Sequence, residues 1–130
     1  MKSLNEGLVM TQEDKELLLR DLCARVPYGV KVQYMNNIFV IDYVSSYEEV
    51  KLDIPDNYTV GISEVKPYLF PLSSMTEKQK KEYQYITERW MYDPSYSISD
   101  STDWRNKNHF DYRGLIKKDL AIDATGLNIY

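Results

Sequence analysis

Val30-Lys31-Val32-Gln33-Tyr34-Met35-Asn36-Asn37-Ile38-Phe39-Val40-Ile41-Asp42-Tyr43-Val44 is the stretch that decides how this chain folds. Val30, Val32 and Tyr34 alternate with Lys31 and Gln33. A period of two places the apolar side chains on one face of a strand. Asn36-Asn37 supplies a turn, because asparagine tolerates left-handed backbone. Ile38 to Val44 is rich in β-branched and aromatic side chains and predicts a second, more buried strand.

Working outward toward the N-terminus, the period changes from two to that of a helix. Leu18, Leu19, Leu22, Cys23 and Val26 recur at helical spacing, with Lys15, Glu16, Arg20 and Asp21 on the other side. Thr11 stands at the N-cap position, Glu13 and Asp14 suit the first turn, and Pro27 and Gly29 stop the helix. The spacing predicts a helix over 12–25 with Cys23 on its apolar stripe. Residues 1–9 have no period and are expected to be a poorly ordered N-terminal extension.

Toward the C-terminus, Val50, Leu52 and Ile54 alternate with Glu49, Lys51 and Asp53, which predicts a strand with one wet face. Pro55-Asp56-Asn57 is a turn. Tyr58 to Tyr68 reads as extended, with Gly61 marking a bulge and Pro67 an edge or strand end. Consecutive strands with short links predict an antiparallel meander of three to five strands. Thr76 and Gln79 have capping-box spacing and open a second helix, whose stripe is Tyr83, Ile86 and Trp90 and which ends at Asp93-Pro94. The last third reads as irregular with short helical turns. Asp100, Ser101 or Thr102 would cap a turn carrying Trp104, and Asp111 would cap another carrying Leu115 and Ile116. Leu120 to Ile122 would add a short strand. The expectation is an α+β fold in one domain over residues 1–130.

Composition narrows the function classes. The chain has 130 residues, 43% of them hydrophobic and 28% charged, so a packed core is expected. The net charge of −4 points away from a duplex-binding surface. One cysteine, Cys23, allows no internal disulfide, and with one histidine, His109, it cannot complete a Cys/His zinc site, so no metal is expected. No cofactor is implied either, since the phosphate-cradling and common catalytic motifs are missing. No apolar run approaches the length of a membrane span. A cytoplasmic location is expected, with another protein as the partner.

The densest polar-aromatic cluster is His109-Phe110-Asp111-Tyr112-Arg113. His109 is the one side chain whose ordinary pKa lies near neutrality, so it is the natural general base, and Asp111 could orient it. The competing structural reading packs His109 among aromatics and uses Asp111 as a cap. Trp104, Tyr112 and Arg113 are candidate binding residues. The carboxylates Glu48, Glu49, Asp53, Asp56 and Glu64 have no ordered metal-ligand spacing and suit a wet sheet face. Lys78, Lys80 and Lys81 lie near Tyr83 and Tyr85, a pattern that can bind single strands, but Glu77, Glu82 and Glu88 are interleaved with them. The chain has 12 tyrosines, more than a core of this size can hold, so they either line the boundary of a small core or form an exposed binding surface, where tyrosine favours interfaces.

Three stretches carry a resemblance: Thr11 to Gly29, Glu64 to Thr76, and Asp103-Trp104 with Asn108 to Ile116. They resemble a group of small uncharacterised proteins from gut-anaerobe bacterial genomes and mobile elements. The resemblance implies a start at the Met10-Thr11 pair and supplies no catalytic residues. The sequence departs from that group over Tyr92 to Ser101. The leading expectation is therefore a protein-binding or adaptor module. The alternatives are a small enzyme using His109 with a carboxylate, and an accessory nucleic-acid-binding protein.

Overall fold

A computed structural model describes residues 10–56, 58–89 and 91–130. The expectation for residues 1–9, and those for Asn57 and Trp90, lie outside the described residues. The fold is α+β: a helix, a mixed sheet, a second helix and a C-terminal third with another helix.

Helix α1, Gln12–Arg25, starts where Thr11 Oγ1 accepts from the Asp14 amide at 3.1 Å. It ends through a 3-10 turn at Val26–Tyr28, and Gly29 takes φ +70°, a value glycine adopts without strain. The buried face of α1 is Leu18, Asp21, Leu22 and Arg25, spaced i, i+3, i+4 and i+7. Two expectations are corrected here. Asp21 is fully buried, not on the wet side, because Arg25 one turn on neutralises it. Cys23, about 100° round the helix from Leu22, is exposed and does not belong to the core.

Strands β1 (Lys31–Tyr34), β2 (Asn37–Val44), β3 (Glu49–Leu52) and β4 (Val60–Gly61) form the expected antiparallel meander. The β1–β2 turn sits one residue earlier than the sequence suggests. Met35 and Asn36 take φ +48° and +64°, the paired left-handed values of a tight hairpin, while Asn37 pairs with Tyr34 and its side-chain Nδ2 donates to the Met35 carbonyl. Lys51, expected on the wet face of β3, is 7% exposed, since its ammonium donates to the Leu52 and Ile54 carbonyls. The extended reading of Tyr58 to Tyr68 is interrupted by a 3-10 turn at Ile62–Glu64, where Glu64 Oε2 accepts from the Gly61 amide at 2.8 Å.

Strand β5 (Lys66–Pro71) does not continue the meander at β4. It returns to the other side and pairs antiparallel with β1, Val32 opposite Pro67. Two short strands then pair parallel to β5: β6 (Phe110–Asp111) and β7 (Ile122–Asp123). Leu18 and Leu22 of α1, Val32 and Leu69 of the sheet, and Leu115 and Ala121 of the C-terminal third share one buried cluster.

Helix α2 (Glu77–Arg89) opens on the expected capping box: the Gln79 amide donates to Thr76 Oγ1 and the Thr76 amide to Gln79 Oε1. Tyr83 and Ile86 are half-buried. The C-terminal third is more regular than its sequence suggests. Helix α3 (Ile98–Lys107) starts at Ser97, not at Asp100 to Thr102, because Asp100 reaches back to the Ser97 amide at 2.7 Å. No described helix is long and apolar enough to cross a membrane.

Candidate functional site

His109 leaves α3 with φ +63°, and its carbonyl accepts from the Phe70 amide at 2.8 Å, which starts the β5–β6 ladder. That backbone conformation turns the imidazole onto the Tyr130 ring, centroid to centroid 3.6 Å and 9° from parallel. Burial, then the charges of Arg25 and Lys31, push the His109 pKa down to about 4. The ring is therefore neutral near pH 7 and a weak base. Its Nδ1 is buried and has no hydrogen-bond partner among the described residues.

Asp111 is not turned to that imidazole. Its two oxygens accept from the Leu115 and Ile116 amides at 3.0 and 2.9 Å, so it caps the following turn, as the structural reading of the sequence expected. The acid–base pair that catalysis by His109 would need is not assembled by these two residues. Among the described residues, no three His, Cys, Asp or Glu side chains gather as a metal-ligating group.

The three candidate binding residues are all engaged within the fold. Trp104 lies between Tyr83 of α2, at 5.3 Å and 30°, and Phe110 of β6, at 5.6 Å and 14°. It thus fastens α2 to the sheet. The Tyr112 hydroxyl donates to Asn106 Oδ1 at 2.7 Å. Its ring meets three guanidinium groups: Arg105 at 4.3 Å, Arg113 at 4.6 Å and Arg25 at 5.3 Å from the centroid. Arg113 donates to Asp21 Oδ1 at 2.7 Å, and Arg25 donates from Nε to Asp21 Oδ2 at 2.8 Å and from Nη2 to the Phe110 carbonyl at 2.6 Å.

Asp21 therefore holds two arginines, and through them α1 is tied to the 110–113 segment. Sequence reasoning missed this centre. A signal existed: Asp21 and Arg25 are an acid and a base at i, i+4, in phase with Leu18 and Leu22 on the buried face.

Beside this centre lies a cavity of about 230 Å³, floored by Phe70 and Phe110 and rimmed by Ser74, Gln79 and Thr125. It is smaller than the roughly 300 Å³ at which small-molecule sites begin. Part of its rim is already used: Ser74 Oγ donates to the Pro71 carbonyl, and Gln79 closes the α2 capping box.

The surface aromatic set lies elsewhere. Tyr85, Met91, Tyr92 and Ile98 are 52%, 64%, 77% and 68% exposed, values far above those of a core boundary. Tyr85 meets Tyr96 edge to face at 6.5 Å, and the Arg89 guanidinium stands 4.9 Å from the Tyr85 centroid. The turn after α2 thus folds back over that helix. Lys80, one of the lysines on this helix, is paired with Glu77 at 3.1 Å.

Comparison with protein-family models, with curated proteins and with solved structures finds no match to this chain.

Proposed function

We propose that this chain is a small cytoplasmic protein-binding or adaptor module whose contact surface is formed by Tyr85, Arg89, Met91, Tyr92, Tyr96 and Ile98. The observation that carries the proposal is the exposure of four large apolar side chains between residues 85 and 98, with an arginine stacked among them. Tyrosine, methionine and arginine are the side chains enriched in interface cores, and large exposed apolar side chains gathered on one short segment suit such a contact. The His109 to Arg113 segment, which the sequence singled out, supports that surface from inside, since Trp104 and Phe110 brace α2 through Tyr83. An imidazole held neutral and stacked on Tyr130, and a carboxylate committed to backbone amides, favour binding over catalysis. The same proposal includes a bacterial source within the gut-anaerobe, mobile-element group that the three motifs resemble.

A photo-crosslinking residue placed at Tyr92 in the full chain tests this in living cells. The expected result is one discrete adduct, whose yield falls about fivefold or more with either Tyr85→Ser or Ile98→Ser, the loss of a contact worth about 1 kcal/mol. A diffuse ladder, or the same adducts from a probe at exposed Lys117, would sink the proposal.

A further inference from the structure

The fork where β1 leaves β5 is filled by a side chain from far along the sequence. The β1–β5 register pairs Gln33 with Lys66 and Val32 with Pro67, so the next pair would be Lys31 with Tyr68. The Tyr130 hydroxyl stands between them. The Lys31 amide donates to it at 2.9 Å, and it donates to the Tyr68 carbonyl at 2.8 Å. A donor and an acceptor that would otherwise belong to the ladder thus read one hydroxyl group.

The rest of the residue is read as well. The ring lies flat on His109 at 3.6 Å, meets Phe70 at 6.0 Å, and has Lys31 Nζ 5.6 Å from its centroid. That same Nζ donates to the Ile129 carbonyl at 2.7 Å. The recognised unit is therefore a main-chain carbonyl followed by a phenol. Tyr130 is 41% exposed as a whole, but desolvation around its phenol raises the pKa to about 12, so the hydroxyl keeps the proton it donates.

The strap that delivers Tyr130 is lightly held. Thr125, Gly126, Leu127 and Asn128 are exposed. Gly126 and Asn128 take φ +78° and +60°, and between Ala124 and Ile129 the backbone bond is Leu127 to Ala124 at 3.0 Å. Exposed side chains and two local bonds, Leu127 to Ala124 and the Thr125 amide to Asp123 Oδ1 at 2.9 Å, make this a segment of low local stability.

We propose that the β1–β5 fork is a peptide-recognition socket for an Xaa-Tyr unit, filled in this chain by Ile129-Tyr130 and open to the tyrosine of another polypeptide when the strap lifts. The socket uses backbone groups for the hydroxyl, an imidazole face for the ring and a lysine for the preceding carbonyl, a combination of main-chain and pocket recognition common to peptide-binding modules. It stands on the geometry of the fork alone and not on the aromatic surface of α2 and α3.

The test uses the full chain with Tyr130→Ala. The probes are the capped peptide Leu-Asn-Ile-Tyr, its Phe analogue, 4-methylphenol and toluene. The Tyr peptide is expected to saturate the variant, and the Phe peptide to bind about tenfold more weakly, because the Tyr68 carbonyl loses its donor. The unaltered chain, whose socket is filled, should bind the Tyr peptide far more weakly. 4-Methylphenol should raise the melting temperature of the variant and toluene should not. If Tyr130→Ala leaves the chain unfolded, restoration of its circular dichroism by 4-methylphenol supports the socket and failure to restore it overturns the proposal. Equal binding of the two peptides, no saturable binding, or equal rescue by toluene also overturns it. None of these readouts depends on the Tyr92 crosslink, so the two proposals fail separately.

Discussion

Replacing Asp21 with asparagine keeps the shape of the side chain and removes its charge. In the native fold that carboxylate is fully buried and accepts from Arg25 at 2.8 Å and Arg113 at 2.7 Å. Arg25 is itself fully buried, so Asp21→Asn leaves a guanidinium with no counter-ion in the interior. The amide would also turn an N–H toward one of two groups that can only donate. Breaking a buried pair by removing one partner costs about 3–5 kcal/mol. Unfolding entropy near 2.1 cal/mol/K per residue gives about 0.27 kcal/mol/K for 130 residues. The melting temperature should therefore fall by about 11–18 °C.

Urea unfolding followed by circular dichroism measures this, with a lower midpoint at unchanged slope. Asp119→Asn is the control, because it breaks the exposed pair with Lys66, whose carboxylate partner is 91% exposed, and should cost about 1 kcal/mol or less. Adding Arg25→Met to Asp21→Asn removes the stranded charge and should recover part of the loss. If Asp21→Asn costs no more than Asp119→Asn, the triad does not hold α1 to the 110–113 segment.

Three further outcomes follow from particular contacts. His109 has its pKa lowered by burial, then by Arg25 and Lys31, from an ordinary 6.5 to about 4 in the folded chain. Between those values the unfolded chain binds the extra proton, so stability should fall as pH drops from 6.5 through 4, and His109→Gln should flatten that slope in pH-dependent urea melts. Asp111→Ala removes the acceptors of the Leu115 and Ile116 amides and should destabilise the fold by about 1–2 kcal/mol, with hydrogen exchange accelerating first at those two amides. Cys23 is exposed, so it should react with a thiol reagent in the native state at a rate little changed by urea; a reaction that waits for unfolding would contradict its placement.

The elements visible in the sequence are those whose signals are local. The Val30 to Val44 hairpin follows from a period of two and a pair of turn residues. Helix α1 follows from its apolar spacing and Thr11, and the start of α2 from Thr76 and Gln79. The Asp111 cap was also legible, because it needs only the amides four and five residues on. What was hidden depends on distant partners. The return of β5 to β1 pairs Val32 with Pro67, and β6 is two residues long, too short to show a period, whereas the short strand expected at Leu120 to Ile122 lies at Ile122–Asp123. Helix α3 was obscured by Ser97, Ser99, Asp100 and Ser101, four competing cap residues in a row of five. At the candidate site, Asp21 looked like part of a solvated helix face, and nothing near Tyr130 hints that its hydroxyl belongs in a sheet.

The contacts that join the two ends of the fold span nearly the whole chain. Arg25 bonds to Phe110 across 85 positions, Asp21 to Arg113 across 92 and Lys31 to Tyr130 across 99. The meander from β1 to β4 can form early, since its turns are short, but its core stays unsealed until the last third arrives. On the ribosome, at about 5–20 residues per second, α1 and the hairpin must wait several seconds for Arg113 and Ala121 to emerge. During that interval Asp21 and Arg25 form their pair on a helix with an open apolar face. An exposed apolar face of that kind is what chaperones bind, and closing it requires the C-terminal third.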